Sequence, residues 1–326
     1  MYQQQRSTKV VFNRQRDFGK IFTDAFKFFK YNFKNLLGAV LLISGPLFLI
    51  MGGISGYLQA MGNNILSMFN PRRMMNRGWM NDFDTSEFLL IMLIYWLVSV
   101  VAYVVYAAII NRYLILSQQK EEGEKITISE LMRYLPADSW RLFYNYLLLG
   151  LVIIAFCIGL FIVMLIPILG ALAIFVGVLL VGPNIFYALT NAPYLVLKEE
   201  ILITQAFGKS WNYMRRTGNY WWTWLIMVVA YIIVMIAAGL FALPNTILTW
   251  VSTFSRLRFD QYGDYSDDGS GTGAIWFIVF AMIAMLGQHL VMPLLNMFTV
   301  LTYHSHEEEE EGTGLMQRID EIGVNK

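Results

Sequence analysis

Gln288, His289 and Asn296 are the polar side chains best placed to act inside an apolar setting, because the window that holds them, 274–303, contains no Asp, Glu, Lys or Arg. Residues eight apart on a helix return to nearly the same face, so Gln288 and Asn296 look one way and could line a polar pocket beside Pro293. Amides in apolar helices also serve to join neighbours by hydrogen bonding, and that structural role is the one expected here. His304 and His306 precede five consecutive glutamates, 307–311. Alternate imidazoles beside carboxylates could hold a metal, but a run of like charges next to a membrane span reads more simply as a solvated segment. Asp260, Asp264, Asp267 and Asp268 lie in a Gly- and Ser-rich stretch and lack the ligand spacing and terminal Glu of a calcium loop. No phosphate-binding glycine loop, nucleophile elbow or zinc pattern occurs. The expectation is a protein with no enzymatic activity, no cofactor and no nucleic-acid partner.

The elements that must position these residues are set by apolar length. The 56 residues separating Arg141 from Lys198 carry no charged side chain. As a helix they would extend about 80 Å, against about 30 Å of bilayer hydrocarbon. They must cross twice, and Ile166, Pro167 and Gly170 supply the turn of a helical hairpin. Its arms, about 143–165 and 171–196, join windows at 36–58, 88–110, 220–243 and 274–303 to make six expected spans. Helices satisfy their own backbone groups in lipid, so the expected fold class is all-α, a polytopic membrane protein. The composition, 57% hydrophobic, 15% aromatic and 14% charged, agrees. Pro46, Pro183 and Pro293 interrupt spans, the first two after a glycine. Such breaks are usually accommodated kinks, though broken helices can also present backbone dipoles to a substrate.

Lysine and arginine fall 19 on one set of alternating loops and 5 on the other. The positive-inside rule then puts both termini in the cytoplasm, while the net charge of +1 hides the asymmetry. Before the first span come about 35 basic and aromatic residues rather than the short parts of a signal peptide. The single cysteine, Cys157, lies in the third span and excludes an internal disulfide. The compact plan and short loops point to a bacterial cytoplasmic (inner) membrane.

A unit recurs three times: an amphipathic helix, an aromatic pair around Asn, then two spans. In the first copy Phe18, Ile21, Phe22, Ala25, Phe26, Phe29 and Phe33 recur at helical spacing, with Lys20, Lys27, Lys30 and Lys34 opposite. The second opens on a Thr127-x-x-Glu130 capping box, and Pro136 is expected to end its helix early. The third has Ile203, Ala206, Phe207, Ser210, Trp211 and Met214, followed by Arg215 and Arg216. The six basic residues of the first and third copies are the expected contacts for anionic lipid headgroups. Asn32-Phe33, Asn145-Tyr146 and Asn219-Tyr220 mark the copies, and Asn111-x-Tyr113, Asn191-x-x-Tyr194 and Tyr303 mark the ends of the even spans. The organisation read from this is a flexible basic N-terminus (1–15), a membrane domain (16–303, repeats about 16–116, 126–197 and 201–303) and an acidic cytoplasmic tail (304–326).

The stretch carrying Tyr194, Lys198, Glu199, Ala206, Phe207, Ser210, Trp211, Arg215, Asn219 and Trp221 resembles the membrane domain that precedes some bacterial glycerophosphodiester phosphodiesterases, and its free-standing relatives. The tail from Glu311 to Gly323 is similar to endings of uncharacterised membrane proteins of Bacteroidetes-type bacteria. The resemblance implies a multi-span membrane module. A catalytic barrel needs roughly 250 residues, and only about 23 follow the last span, so the enzymatic activity is not carried over. The expected role is a scaffold or accessory subunit of an envelope process, in contact with anionic lipid and membrane-protein partners; the alternative is a transporter or lipid-handling protein using the kinked spans. Oligomeric state is not legible.

Overall fold

The computed structural model describes residues 10–68, 85–121, 124–164, 175, 177–259 and 270–312, and every regular element among them is helical. Helix α1 is Phe18–Ala39, followed by a wide π-helical turn, Val40–Ser44, and α2, Gly45–Met68. Then come α3 (Thr85–Gln119) and α4 (Ile128–Met164). A second π turn, Gly177–Val181, leads into α5 (Gly182–Glu199), and α6 (Ile203–Arg216), α7 (Tyr220–Phe259) and α8 (Ser270–Glu311) complete the described elements. Among the described residues five stretches are long and apolar enough to cross a membrane: Phe18–Ala60, Ser86–Gln119, Ile128–Phe161, Tyr220–Phe254 and Ala274–Glu311. Each exceeds the roughly 20 residues a bilayer requires. The sixth expected span, 171–196, and the hairpin turn at Ile166, Pro167 and Gly170 fall wholly or partly outside the described residues, as does the aspartate-rich loop.

The amphipathic segments expected to open the first two repeats are not separate from the apolar helices that follow. Helix α4 runs through Pro136 without a break, contrary to the expectation that proline would end it. Proline removes one N–H and frees the carbonyl four residues back. Both Pro136 and Met132 are exposed, so that carbonyl is not sealed in a core. Thr127 does cap α4, its Oγ1 accepting from the Glu130 N–H at 3.3 Å. The other half of the capping box is diverted, because the Glu130 carboxylate takes Lys120 at 2.6 Å.

Both π turns end at a Gly-Pro pair, Gly45-Pro46 and Gly182-Pro183. A proline ring crowds the carbonyl four residues earlier, and a wider turn relieves the crowding. At Pro183 that carbonyl belongs to Leu179, and Trp224 donates its indole N–H to it at 2.7 Å. The Tyr220 hydroxyl donates to the next carbonyl, Leu180, at 3.0 Å. The exposed dipoles of this break are therefore engaged by the protein itself.

The chain forms two compact units. One comprises Met1–Val40, Val104–Val234 and Pro293–Lys326; the other comprises Leu41–Tyr103 and Met235–Met292. In the second unit α2 meets α8 through two glycines. A Cβ on Gly52 would lie 2.6 Å from the Met282 Cα, and one on Gly56 would lie 2.5 Å from the Ile278 Cα. The backbones thus touch where side chains would normally hold them apart. In the same unit Asn245 donates to Gln59 at 3.1 Å.

In the first unit α1 presents three faces instead of the two expected. Ile21, Ala25, Phe28, Leu36 and Ala39 are buried in the protein. Phe26 and Phe33, about 100° or more around the axis at helical spacing, stay exposed. Lys20, Lys27, Lys30 and Lys34 are exposed on the remaining side. The apolar stripe read from the sequence is thus divided between a protein-facing and an outward-facing edge.

Candidate functional site

The polar side chains of the first unit gather around the C-terminal end of α8, where His304, Ser305 and His306 are all buried. The first component is a strap, residues 10–17, closed by Arg16. Its guanidinium donates from Nε to Asp24 at 2.9 Å and from Nη1 to the Phe12 and Arg14 carbonyls at 2.7 and 3.0 Å, with Nη2 on the Val11 carbonyl. The side chain has no exposed surface. Burial pulls the guanidinium below its ordinary pKa, and Asp24 opposes the shift. The Arg16 backbone N–H donates to Ser305 Oγ at 2.9 Å and the Ser305 hydroxyl returns a bond to the Arg16 carbonyl at 3.3 Å, which fixes the strap to α8. The Phe12 ring packs edge-on against Phe28 and His304, with centroids 5.9 and 5.8 Å away. Part of the segment read as a flexible terminus is therefore a packed element; residues 1–9 lie outside the described residues.

Beneath Phe12 a chain of bonds runs across three helices. Gln118 of α3 donates to the Tyr194 hydroxyl at 2.6 Å, and that hydroxyl lies 2.8 Å from His304 Nε2. With one donor already arriving, Tyr194 satisfies its own hydrogen by giving it to the imidazole. Hydrogen-bond accounting thus assigns His304 the Nδ1–H tautomer. Its Nδ1 sits 2.8 Å from Glu307 Oε2, off the in-line angle of a hydrogen bond. Tyr303 donates to the other oxygen of Glu307 at 3.1 Å, and Lys198 stands 4.0 Å away. Burial lowers the pKa of Lys198, while Glu307 and Glu199 draw it back up.

The glutamate run, expected to be solvated, is helical; Glu309, Glu310 and Glu311 do stay exposed, but the run also makes specific contacts within the unit. Besides the Glu307 contacts, Glu309 accepts from Asn219 at 2.7 Å, Glu310 pairs with Arg216 at 2.9 Å and Glu311 accepts from the Tyr213 hydroxyl. His306 points inward, with Nε2 2.8 Å from Thr223 Oγ1 and its ring edge-on to Tyr187. Among the described residues no three His, Cys, Asp or Glu side chains converge as metal ligands would. Two of the three copy-marking asparagines have related roles, whereas Asn219 donates to Glu309. Asn32 accepts from the Tyr113 hydroxyl at 2.9 Å, and Asn145 accepts from the Ile203 N–H at 2.7 Å. Each donates to the carbonyl four residues back.

A cleft of about 190 Å³ opens beside this layer, lined by Gln15, Trp222, Asn219, His306 and Glu309 among others. It is smaller than the roughly 300–1,000 Å³ of pockets that enclose drug-sized ligands. Elsewhere in the unit Arg112 is clamped to Asp138, with Nε 2.6 Å from Oδ2, and lies 4.6 Å from the centre of the Tyr134 ring. The layer as a whole performs charge pairing and helix locking.

The intramembrane trio does not fall together in one unit: Gln288 and His289 belong to the second and Asn296 to the first. His289 stacks on Phe48 with centroids 3.6 Å apart, and its Nδ1 is 2.7 Å from the Met285 carbonyl. Gln288 and Asn296 are half-buried. Of the expected lipid contacts, Lys20 reaches Asp17 at 3.5 Å and Arg216 pairs with Glu310. Lys30, Lys34 and Arg215 are exposed and have no ion-pair partner among the described residues.

No family model, curated protein or solved structure matches the chain. Its own geometry also holds residues that sequence reading passed over. Asn184 and Tyr187 join the marker residues Asn191 and Tyr194 in a buried polar seam along one face of α5, at spacings of 3, 4 and 3. That periodicity in an apolar window was a usable signal. Arg16 with Ser305 offered none, since the two are 289 positions apart.

Proposed function

We propose that the protein is a non-catalytic integral membrane scaffold or accessory subunit of an envelope process. It sits in the bacterial cytoplasmic membrane with both termini inside. Its cytoplasmic face, formed by α1 and α6, holds anionic lipid headgroups and docks membrane-protein partners. The three-way division of α1 carries this reading. A helix with one edge in the protein, exposed phenylalanines on the second and lysines on the third is built to lie at a membrane surface. The engaged carbonyls at Leu179 and Leu180 favour a structural use of the Pro183 break over a substrate site. The likeness to a phosphodiesterase membrane domain fits the same role, that of a membrane module.

The α1 segment gives the test. A peptide spanning residues 16–35 gains helicity on anionic vesicles and much less on neutral ones, since each lysine contributes on the order of 1 kcal/mol near an anionic surface. Equal circular dichroism in buffer, neutral and anionic vesicles would sink the lipid-anchoring role.

Orientation is tested separately. Cysteines introduced at Ser67 and Ser266 label with an impermeant thiol reagent in intact cells, and one at Ser129 does not. Labelling at Ser129 reverses the topology drawn from the basic-residue count.

A further inference from the structure

We infer that Arg215, Arg216 and Asn219, at the junction of α6 and α7, form an anionic-headgroup site that the protein's own Glu309 and Glu310 occupy in competition with lipid. This rests on the proposed lipid-binding role and adds how it is regulated.

The junction stands at headgroup level by its aromatic belt. Trp211 packs edge-on to Tyr220 with centroids 6.4 Å apart, Tyr220 meets Trp221 at 5.4 Å, and Trp221 and Trp222 are exposed. Tryptophan and tyrosine concentrate at membrane interfaces because their rings are amphipathic. Arg215 and Arg216 end α6 within this belt, and both are exposed. The turn after them is tight: Gly218 adopts φ +71°, a left-handed conformation that glycine takes without strain. It brings Asn219 close behind the arginines.

Carboxylates of α8 satisfy the donors of this junction. Arg216 Nη1 reaches Glu310 Oε1 at 2.9 Å, and Asn219 Nδ2 donates to Glu309 Oε2 at 2.7 Å. Asn219 and Glu309 also line the cleft beside Trp222. The docked carboxylates present the same chemistry as a lipid phosphate: anionic oxygens accepting from a guanidinium and an amide. Neither contact is sealed, for Arg216 is 67% and Glu310 26% exposed. An exposed pair of this kind contributes little to stability. A basic residue near an anionic leaflet gains about the same. Equal magnitudes make the exchange sensitive to lipid composition: a leaflet rich in anionic lipid draws Arg216 and Asn219 off α8, and a neutral one leaves them latched. Arg215, which has no ion-pair partner among the described residues, is the cation available for first contact.

The experiment uses the full-length protein in nanodiscs, with native mass spectrometry counting retained phosphatidylglycerol against phosphatidylcholine. The Glu309→Gln/Glu310→Gln variant retains phosphatidylglycerol about fivefold more tightly, the factor equivalent to roughly 1 kcal/mol. Adding Arg215→Gln/Arg216→Gln abolishes the gain. Glu310→Gln alone gives a smaller gain and serves if the double variant misfolds. A wild-type protein with no preference for anionic lipid overturns the lipid-binding role itself. A wild-type preference that the glutamine variants leave unchanged overturns the competition only. A gain that inorganic phosphate in solution cancels at equal concentration replaces lipid with a soluble anion, and overturns the assignment to headgroups.

Discussion

Replacing Arg16 by Met lowers the unfolding free energy of the detergent-solubilised protein by about 2–3 kcal/mol, less than the roughly 3–5 kcal/mol of a fully buried ion pair that loses one partner, because the Asp24 side chain keeps 26% of its surface exposed. The guanidinium reaches Asp24, three backbone carbonyls of the strap and no solvent. Methionine fills much of the volume but leaves those acceptors unmet, and buried acceptors without donors carry the full desolvation penalty. Lysine restores the charge without the planar fork that spans several oxygens, so Arg16→Lys recovers only part of the loss. The comparison is Lys20→Met, whose pair with Asp17 is exposed on both sides, and which changes stability by about 0.5 kcal/mol or less. Chemical or thermal unfolding in one detergent measures all three. An Arg16→Met protein as stable as the Lys20→Met protein would show that the strap contributes nothing to the fold.

Gly56→Val is expected to be the most disruptive substitution in the second unit. The added carbon would fall 2.5 Å from the Ile278 Cα and 2.6 Å from the Phe277 carbonyl oxygen. Those are backbone atoms, which cannot rotate aside, so α2 and α8 must separate and lose their contact. Overpacking in a well-filled interface ordinarily costs about 1–3 kcal/mol, and a rigid obstacle places Gly56→Val at the upper end. Gly52→Val meets the Met282 Cα at 2.6 Å and behaves likewise. Gly150 of α4 is the control, because a Cβ there has nothing within 4 Å. Gly150→Ala is neutral or gains up to about 1 kcal/mol from helix propensity. If Gly56→Val unfolds no earlier than Gly150→Ala, the close approach of α2 and α8 is not a stabilising contact.

The long helices were legible because membrane crossing is a local property. An apolar window such as 88–110, which lies inside the helix Thr85–Gln119, needs only its own length compared with a fixed hydrocarbon thickness, and no distant residue can change the result. The lysines of α1 and the Thr127 cap were legible for the same reason, since a helical face and an N-cap are defined within one or two turns. Where the sequence reading failed locally, at Pro136, the outcome depended on whether the freed carbonyl was exposed, which is a tertiary fact.

The fate of the polar groups was settled only in three dimensions. Five glutamates in a row look the same whether they face water or a partner. Here Tyr213, Arg216 and Asn219, 98, 94 and 90 positions away, meet Glu311, Glu310 and Glu309. His304 could equally have been a ligand, a surface residue or the buried link between Tyr194 and Glu307 that it is. The apolar edge of α1 likewise divides into buried and outward parts only because the rest of the unit covers Ile21, Ala25 and Phe28 and leaves Phe26 and Phe33 partly exposed. By itself the sequence determined that the chain makes long apolar helices with basic, aromatic ends, because hydrophobic length and periodicity act within each segment. Tertiary packing decided which charges are paired and which faces remain outside, because desolvation and hydrogen bonding depend on groups that only the folded chain brings within about 3 Å.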